Sequence, residues 1–207
     1  MADALLIFKP DSAHRLAARA ALWSWLAQER EWQLRGLRWF KPSPDLIESH
    51  YDFLRGRPFF PWLVDFMTAL PVLVGRLEAS AGSIETMRYE LGETNIQKAR
   101  PGSLRERFGI YGGVNCLHLS DSPETGIREI ALWADHVQLD GVEVKLEAES
   151  DRPDHTFHLR SLAGQVSEGV HAELAGKEIQ RLLKEESELE GSEFGVLSRV
   201  ILGAFAA

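Results

Sequence analysis

Four short apolar runs of strand length constrain the fold most, because segments with helical periodicity separate them. The runs comprise residues 4–8, 34–40, 72–77 and 116–119, and the helical segments comprise residues 12–28, 44–53, 59–69 and 83–91. In the first helical segment Leu16, Ala20, Trp23 and Ala27 recur at intervals of three and four, as in an amphipathic helix. This alternation predicts an α+β sandwich in which helices pack on a four-stranded sheet.

The sequence that follows the first run fixes where its strand ends. Residues 4–8 are all apolar and are followed by Lys9, Pro10 and Asp11. Proline has no amide hydrogen and a fixed φ, so it cannot extend a strand ladder or a helix interior. A buried strand is therefore expected to end at Lys9, beside the proline.

Bulk composition excludes several classes of protein. The 207 residues, 44% hydrophobic and 26% charged, can bury one ordinary core. A net charge of -8 disfavours nucleic acid and anionic membrane surfaces as partners, although a local basic cleft for a phosphate ligand is compatible with it. A single cysteine, Cys116, cannot form an internal disulfide, and the first residues lack the pattern of a secretory signal. These features predict a cytoplasmic protein with neither a nucleic acid nor a membrane as partner.

Charge divides the chain into two parts. Residues 136–207 contain 14 acidic and 7 basic side chains, whereas residues 1–135 contain 17 and 16. We therefore expect a first domain at 1–135 and an acidic C-terminal extension at 136–207. In the extension, Val142, Val144 and Leu146 alternate with polar residues after Asp140-Gly141, which predicts a hairpin.

The rest of the extension has helical patterns, over residues 165–189 and 194–205. A single helix over the first of these would carry a stripe of apolar residues, namely Val170, Leu174, Leu182, Leu183 and Leu189. Such a stripe must be buried. We expect the extension to dock on the first domain or on a neighbouring subunit, and we favour a docking that contributes to oligomer assembly.

Any phosphate chemistry in this chain must use side chains, because the sequence has no glycine-rich phosphate-binding loop. Neither GxxxxGK[ST] nor GxGxxG occurs in the sequence. The informative stretch is residues 111–124, in which a strand carrying His118 leads into a helix start with Ser122 as N-cap and Pro123 at the first position. A lone histidine on an apolar strand is usually structural, so the surrounding motifs decide its role.

Six segments occur in order along the chain: Ile7-Phe8-Lys9-Pro10-Asp11, His50-Tyr51, Arg57-Pro58-Phe59-Phe60, Leu91-Gly92-Glu93-Thr94-Asn95, Arg100-Pro101-Gly102-Ser103-Leu104-Arg105, and residues 115–122 around His118. They resemble the successive signature segments of nucleoside diphosphate kinases, at nearly the family's spacings. The resemblance covers residues 3–133. It implies a ferredoxin-like βαββαβ sandwich with a four-stranded antiparallel sheet, followed here by the C-terminal extension.

The resemblance also implies an activity. In a two-step exchange, His118 would take the γ-phosphate of a nucleoside triphosphate and pass it to a nucleoside diphosphate. A neutral ring nitrogen is nucleophilic near pH 7, and its phosphoramidate stays reactive enough to return the group. Glu129 matches the family's glutamate that holds the other ring nitrogen. Without the resemblance, Glu129 would be an ordinary solvated carboxylate early in a helix.

Eight further residues match the family's nucleotide-binding positions. Lys9, Arg88, Thr94 and Arg105 match its phosphate ligands, Tyr51 lies beside the catalytic histidine, Asn115 reaches the sugar, and Phe59 and Leu63 sandwich the base. Transfer of a phosphoryl group depends mainly on positioning and charge neutralisation, which suits arginine. Taken singly, the arginines would be surface charges and the pair Phe59 and Leu63 would be core residues.

Magnesium is expected to arrive on the nucleotide, held by phosphate oxygens and water, because no carboxylate cluster in the sequence resembles a protein site for it. His155 and His158 are interpreted as polar loop residues, since two histidines without further ligands rarely hold a metal. The expected partners are nucleoside di- and triphosphates and further copies of the chain.

Three questions about the chain stay open. Leu119 stands where the family usually has glycine, and the sequence leaves open whether this change lowers activity. The chain is either an active kinase or a nucleotide-binding scaffold that acts through its extension. Retention of His118, Lys9 and Arg105 favours the enzyme. A tryptophan cluster, namely Trp23, Trp25, Trp32 and Trp39, fits either core packing or a subunit interface.

Overall fold

A four-stranded sheet forms the centre of the computed structural model, which describes residues 2–28, 32–141 and 144–205. Its strands are β1 (Ala2–Phe8), β2 (Trp32–Phe40), β3 (Val72–Ala79) and β4 (Leu117–Leu119). Their order across the sheet is β2-β3-β1-β4, and every neighbouring pair is antiparallel. The predicted α+β fold with a four-stranded antiparallel sheet is confirmed.

The helices of the first domain lie between and after the strands. They are α1 (Pro10–His14), α2 (Leu16–Leu26), α3 (Pro44–His50), α4 (Phe60–Thr68), α5 (Ala81–Leu91), α6 (Leu104–Phe108) and α7 (Pro123–Ala134). The extension adds α8 (Thr156–Ser167), α9 (Ala172–Glu186) and α10 (Gly191–Gly203). Among the described residues, none of these helices has the length and apolar character that a membrane span requires.

Two helices that the periodicity predicts as continuous are interrupted. The pattern over residues 12–28 is divided at Arg15, whose extended backbone (φ -100°, ψ 105°) separates α1 from α2. The pattern over residues 165–189 is divided at Gly169 (φ 73°) and His171 (φ 49°), which separate α8 from α9. Left-handed backbone of this kind ends a helix. Val170, at this break, and Leu174, on the first turn of α9, are 47% and 67% exposed, so they are not buried on the first domain, and their burial on a neighbouring subunit stays a prediction.

The hairpin predicted after Asp140 is not seen in the described residues. Residues 144–147 form no strand, and Val142 and Glu143 lie outside the described residues. The Gly141 amide donates to the Arg35 carbonyl at 3.2 Å and the Val144 amide donates to the Leu37 carbonyl at 3.0 Å. β2 is an edge strand with unpaired backbone groups, and these two bonds satisfy part of that edge.

The two faces of β1 build two apolar cores. Leu5 and Ile7 belong to the first core, which also contains side chains of α3, α4 and α7, and Leu6 and Phe8 belong to the second, with α2, α5 and α6. Burial on both faces explains why the strand reads as an uninterrupted apolar run. The extension helices pack on the first core through Leu159, Ala163, Ile179, Leu182, Leu183, Leu197, Val200 and Ile201.

A buried ion pair also ties the extension to the first domain. Arg15, between α1 and α2, is fully buried, and its Nε donates to a carboxylate oxygen of Glu186 at the end of α9. Its Nη1 donates to the Phe108 carbonyl at 2.9 Å, and its Nη2 donates to the Thr156 hydroxyl. One guanidinium therefore joins the first helices, α6, α8 and α9.

We predict that Glu186→Ala lowers the free energy of unfolding by about 3–5 kcal/mol, because it leaves the Arg15 charge buried without its partner. Urea denaturation measures this. Glu188→Ala, at an exposed position two residues away, is the control and should change stability by less than about 0.5 kcal/mol. If both variants unfolded at the same urea concentration, the bridge would not hold the extension in place.

Candidate active site

A histidine and a glutamate from neighbouring elements meet at the centre of the site. His118 lies on β4 opposite Ile7 of β1 and is 14% exposed. Ser122 caps α7 by accepting a bond from the Thr125 amide at 3.2 Å, and the helix directs Glu129 back toward the strand. His118 Nε2 lies 2.8 Å from Glu129 Oε2. Because an ionised carboxylate only accepts hydrogen bonds, Nε2 carries the ring proton.

This bond determines which ring nitrogen of His118 is available for chemistry. With the proton on Nε2, the lone pair is on Nδ1, and Nδ1 has no hydrogen-bond partner among the described residues. The Ser120 hydroxyl donates to the same Glu129 oxygen at 2.7 Å. Burial opposes ionisation of Glu129, but the hydrogen bond and charge of His118, with smaller effects from His50 and Ser120, lower its pKa to about 2. The glutamate is therefore ionised at neutral pH.

His50, at the end of α3, packs against the pair formed by His118 and Glu129. Its ring is 4.5 Å from the His118 ring, edge to face, and its Nδ1 accepts a bond from the Trp133 indole at 3.1 Å. Burial, followed by the charge of His118, lowers the pKa of His50 to about 3, so the ring is neutral. His50 belongs to the segment His50-Tyr51, which resembles the family, but it is not among the predicted site residues.

His50, His118 and Glu129 each place a possible metal-binding atom within 4.8 Å of the other two. The Trp133 bond to Nδ1 puts the proton of His50 on Nε2, which lies 4.0 Å from Glu129 Oε1. That nitrogen is a donor, and a ligand nitrogen must be deprotonated. His50 Nε2 therefore has no lone pair for an ion, and neither has His118 Nε2, whose proton is donated to Glu129.

Three cations lie around β4. Arg105 donates to the Leu117 carbonyl at 2.7 Å and Arg88 to the Leu119 carbonyl at 2.9 Å, so both bind the backbone next to His118. Lys9 follows β1, Arg88 lies on α5 and Arg105 on α6. Burial, followed by the charge of Arg105 and, more weakly, that of Arg88, lowers the pKa of Lys9 to about 7. Burial and then Arg88 lower the pKa of Arg105 to about 10. Mutual repulsion among buried cations is relieved by an anion, so this part of the site has the electrostatics of a phosphate pocket.

Arg105 is held by the loops on both sides of it. Its guanidinium donates to the Leu117 carbonyl at 2.7 Å, the Gly92 carbonyl at 2.8 Å, and the Asn115 carbonyl and Thr94 hydroxyl at 3.3 Å each. The Asn115 side-chain amide donates to the Thr94 carbonyl at 2.6 Å, and its buried Oδ1 has no partner among the described residues. The structure thus brings together Thr94, Arg105 and Asn115, three of the predicted nucleotide-binding residues.

Asp11 stabilises the turn that leads into β4. It is not among the site residues predicted from the sequence. Cys116 has φ 72°, which is unusual for a residue other than glycine. The Cys116 amide donates to Asp11 Oδ2 at 3.0 Å, and the Ser12 hydroxyl donates to the Cys116 carbonyl at 2.7 Å. These bonds stabilise the turn that aims His118.

Leu119 is accommodated because its side chain lies on the opposite face of β4 from His118. It is fully buried in the second core, and its carbonyl accepts a bond from Arg88 Nη1 at 2.9 Å. Arg88 also pairs with Asp121 at 2.5 Å. Since side chains alternate along a strand, the extra bulk does not enter the pocket.

The remaining predicted residues lie around α3 and α4. Tyr51 is buried, its hydroxyl has no partner among the described residues, and burial raises its pKa. Its ring is 6.2 Å from the His118 ring. Phe59, just before α4, is 37% exposed, whereas Leu63 one turn later is buried in the first core. Of the two residues predicted to hold the base, only Phe59 therefore has an exposed side chain.

An unprotonated imidazole nitrogen beside a cluster of cations defines a site that can take up a phosphoryl group. Residues 2–139 match the family model described as nucleoside diphosphate kinase. The chain is 40% identical over 139 residues to the nucleoside diphosphate kinase of Synechococcus sp. (strain JA-3-3Ab), covering 67% of this chain and 91% of that protein. It is 38% identical over 133 residues to the enzyme of that name from Chloroflexus aurantiacus, covering 64% and 87%.

Solved structures agree with these sequence matches. The nucleoside diphosphate kinase of Aquifex aeolicus superposes with a TM-score of 0.54 at 34% identity, covering 63% of this chain and 93% of that one. The one from Encephalitozoon cuniculi superposes with a TM-score of 0.56 at 30% identity, covering 64% and 88%. The chain belongs to the nucleoside diphosphate kinase family.

We predict that Lys9 destabilises the fold in a pH-dependent way. Its folded pKa is about 7 and its ordinary value is 10.5, so between these values the unfolded chain binds more protons and stability rises with pH. Lys9→Met should therefore be more stable than the parent at pH 6, and the difference should shrink toward pH 10. Urea denaturation of both proteins across this range checks it. A difference that stayed constant with pH would show that Lys9 keeps its ordinary pKa.

Proposed function

We propose that this chain transfers the γ-phosphate of a nucleoside triphosphate to a nucleoside diphosphate through a phosphorylated His118. Membership of the family makes the chain an enzyme that transfers phosphate between nucleotides. The observation that carries the role of His118 is the 2.8 Å bond from Nε2 to Glu129, which leaves Nδ1 as the nucleophile beside the three cations.

The chemistry proceeds in two mirror-image steps. The Nδ1 lone pair of His118 attacks the γ-phosphorus, the N–P bond forms, and the bond from phosphorus to the bridging oxygen breaks, so that the nucleoside diphosphate leaves. Positive charge develops on the ring, and the Glu129 carboxylate stabilises it through Nε2. An incoming nucleoside diphosphate then attacks the same phosphorus, and the ring returns to its neutral form.

The surrounding residues have assignable roles in this proposal. Lys9, Arg88 and Arg105 would neutralise the phosphates, with Thr94 as a further donor. Tyr51 would contact the transferred group beside His118. The buried Asn115 Oδ1 without a partner fits an acceptor for a sugar hydroxyl. Phe59, with Leu63 behind it, would stack on the base, and stacking tolerates every base.

Mg²⁺ would enter with the nucleotide. In the part of the chain that the structure describes, the only group of three possible ligands is His50, His118 and Glu129, where His50 Nε2 is a donor. These three residues do not fit Mg²⁺, which prefers oxygen ligands. The ion would therefore be held by phosphate oxygens and water, and it would supply charge neutralisation at the phosphates. Lys9 and the two arginines would bind the oxygens that it leaves free.

Two further features belong to the proposal. The chain divides into a kinase-like unit at 1–135 and an extension at 136–207, and copies of the chain associate in the cytoplasm. Support for association comes from exposed apolar side chains on the extension, namely Phe157, Val170 and Leu174. The single cysteine, Cys116, is buried and unpaired, as suits a reducing compartment.

We predict that the protein converts labelled ATP and GDP to labelled GTP, and that His118→Ala lowers this rate on the order of 10³-fold or more, because no other group replaces the nucleophile. Binding of ADP should persist in the variant. His158→Ala, an exposed histidine on α8, is the matched control and should keep full activity. Transfer by the His118 variant at the parent rate would reject the covalent route. A parent protein that binds ADP without transfer would instead be a nucleotide-binding scaffold.

A further inference from the structure

The C-terminal end of α6 is held by two arginines. The last carbonyls of a helix have no partner within it. Here the Phe108 carbonyl accepts from Arg15 at 2.9 Å, and the Gly109 carbonyl accepts from Nη2 and Nε of Arg160 at 2.8 and 3.3 Å. The Glu106 carbonyl also accepts from Arg160 Nη2. Cations at a helix C-terminus interact favourably with its dipole, so this end of α6 is fixed by charge as well as by hydrogen bonds.

Both arginines depend on the extension. Arg160 lies on α8 and pairs with the Glu106 carboxylate at 3.4 Å. Arg15 is balanced by Glu186 of α9, and its guanidinium also contacts Thr156 of α8. The extension therefore supplies, directly or through Arg15, the contacts that satisfy the end of α6.

A single residue, Gly109, connects these contacts to the phosphate pocket. The Gly109 carbonyl accepts from Arg160, and the Gly109 amide donates to the Arg105 carbonyl at 2.9 Å. The packing there is tight, since a Cβ on Gly109 would lie 2.6 Å from the Arg105 carbonyl oxygen and 2.1 Å from Ile96 Cδ1. A displacement of Gly109 is therefore transmitted to the backbone of Arg105.

We propose that Arg160 is a positioning residue for phosphate binding, which acts by fixing Gly109 and thereby Arg105. The proposal rests on the proposed function, in which Arg105 binds the phosphates of the nucleotide. In this view the extension completes the active site without touching the nucleotide. Loss of Arg160 lets the end of α6 move, and the Arg105 guanidinium loses its fixed place at the pocket.

The first test compares ADP with adenosine in equilibrium binding at a temperature where every variant is folded. Arg160→Ala should weaken ADP binding about fivefold and leave adenosine binding unchanged, because only ADP uses Arg105. Arg160→Lys, which keeps the charge and can still donate, should recover part of the loss. Arg181→Ala, on α9 with only exposed ion pairs, is the control and should bind both ligands as the parent does.

The second test is a double-mutant cycle with Arg105→Ala. If Arg160 acts through Arg105, adding Arg160→Ala to that background should change ADP affinity less than about 1.5-fold. An equal fivefold loss in both backgrounds would overturn the proposal, since it would show that Arg160 acts on ADP independently of Arg105. Equal losses for ADP and adenosine would overturn it as well, because they indicate general damage to the fold.

Failure of this proposal and failure of the proposed function give different results. An ADP affinity that depends on Arg160, in a protein that forms no GTP, would keep the positioning role and reject the kinase. GTP formation by a protein whose ADP affinity does not change on replacement of Arg160 would support the kinase activity and reject the positioning role. A protein without affinity for ADP would contradict both.

Discussion

The pairing of β1 with strands on both sides is the constraint on which the rest of the molecule depends. β1 bonds to β3 and to β4, and its residues from Ala4 to Phe8 are fully buried. A strand buried on both faces has to be apolar throughout, and it has to end where Pro10 prevents further pairing. As a result Lys9 emerges at the point where β4 places His118, and the proposed nucleophile and a buried cation come from one local arrangement.

Local sequence signals locate much of this arrangement. The apolar runs locate the four strands, and the start of α7 at Ser122 and Pro123 follows from capping preferences. The resemblance to a family nominated Glu129, Arg105 and the other site residues that the structure brings together. Single residues in isolation could not do so, because a buried charge is recognised only when its distant partners are known.

Non-local partners explain what sequence patterns miss. The break at Arg15 depends on Glu186, 171 residues away, and no periodicity records that contact. Asp11 binds a backbone amide at Cys116, and His50 is fixed by Trp133, so neither role has a sequence signature of its own. The single helix predicted for residues 165–189 is interrupted because left-handed backbone at Gly169 and His171 ends one helix before the next begins, which leaves Val170 and Leu174 exposed in the single chain.

Charge arrangement links this fold to its chemistry. Burial together with the charges of Arg105 and Arg88 lowers the pKa of Lys9, and burial together with Arg88 lowers that of Arg105, so an anion in this pocket would relieve the repulsion; such repulsion is a stability cost that functional sites carry. Glu129 meanwhile holds a negative charge against the other side of His118. His118 thus has a carboxylate at Nε2, and the residues on either side of it, Leu117 and Leu119, accept hydrogen bonds from Arg105 and Arg88.

Above all, we propose that Glu129 selects Nδ1 of His118 as the nucleophile. Phosphorus NMR of the protein after incubation with ATP, recorded at alkaline pH where phosphohistidine survives, distinguishes phosphate on Nδ1 from phosphate on Nε2. If Glu129 selects Nδ1, the spectrum should contain one signal, from phosphate on Nδ1, and this signal should disappear when GDP is added. A signal from Nε2-phosphohistidine, or a phosphate that GDP does not remove, would contradict it.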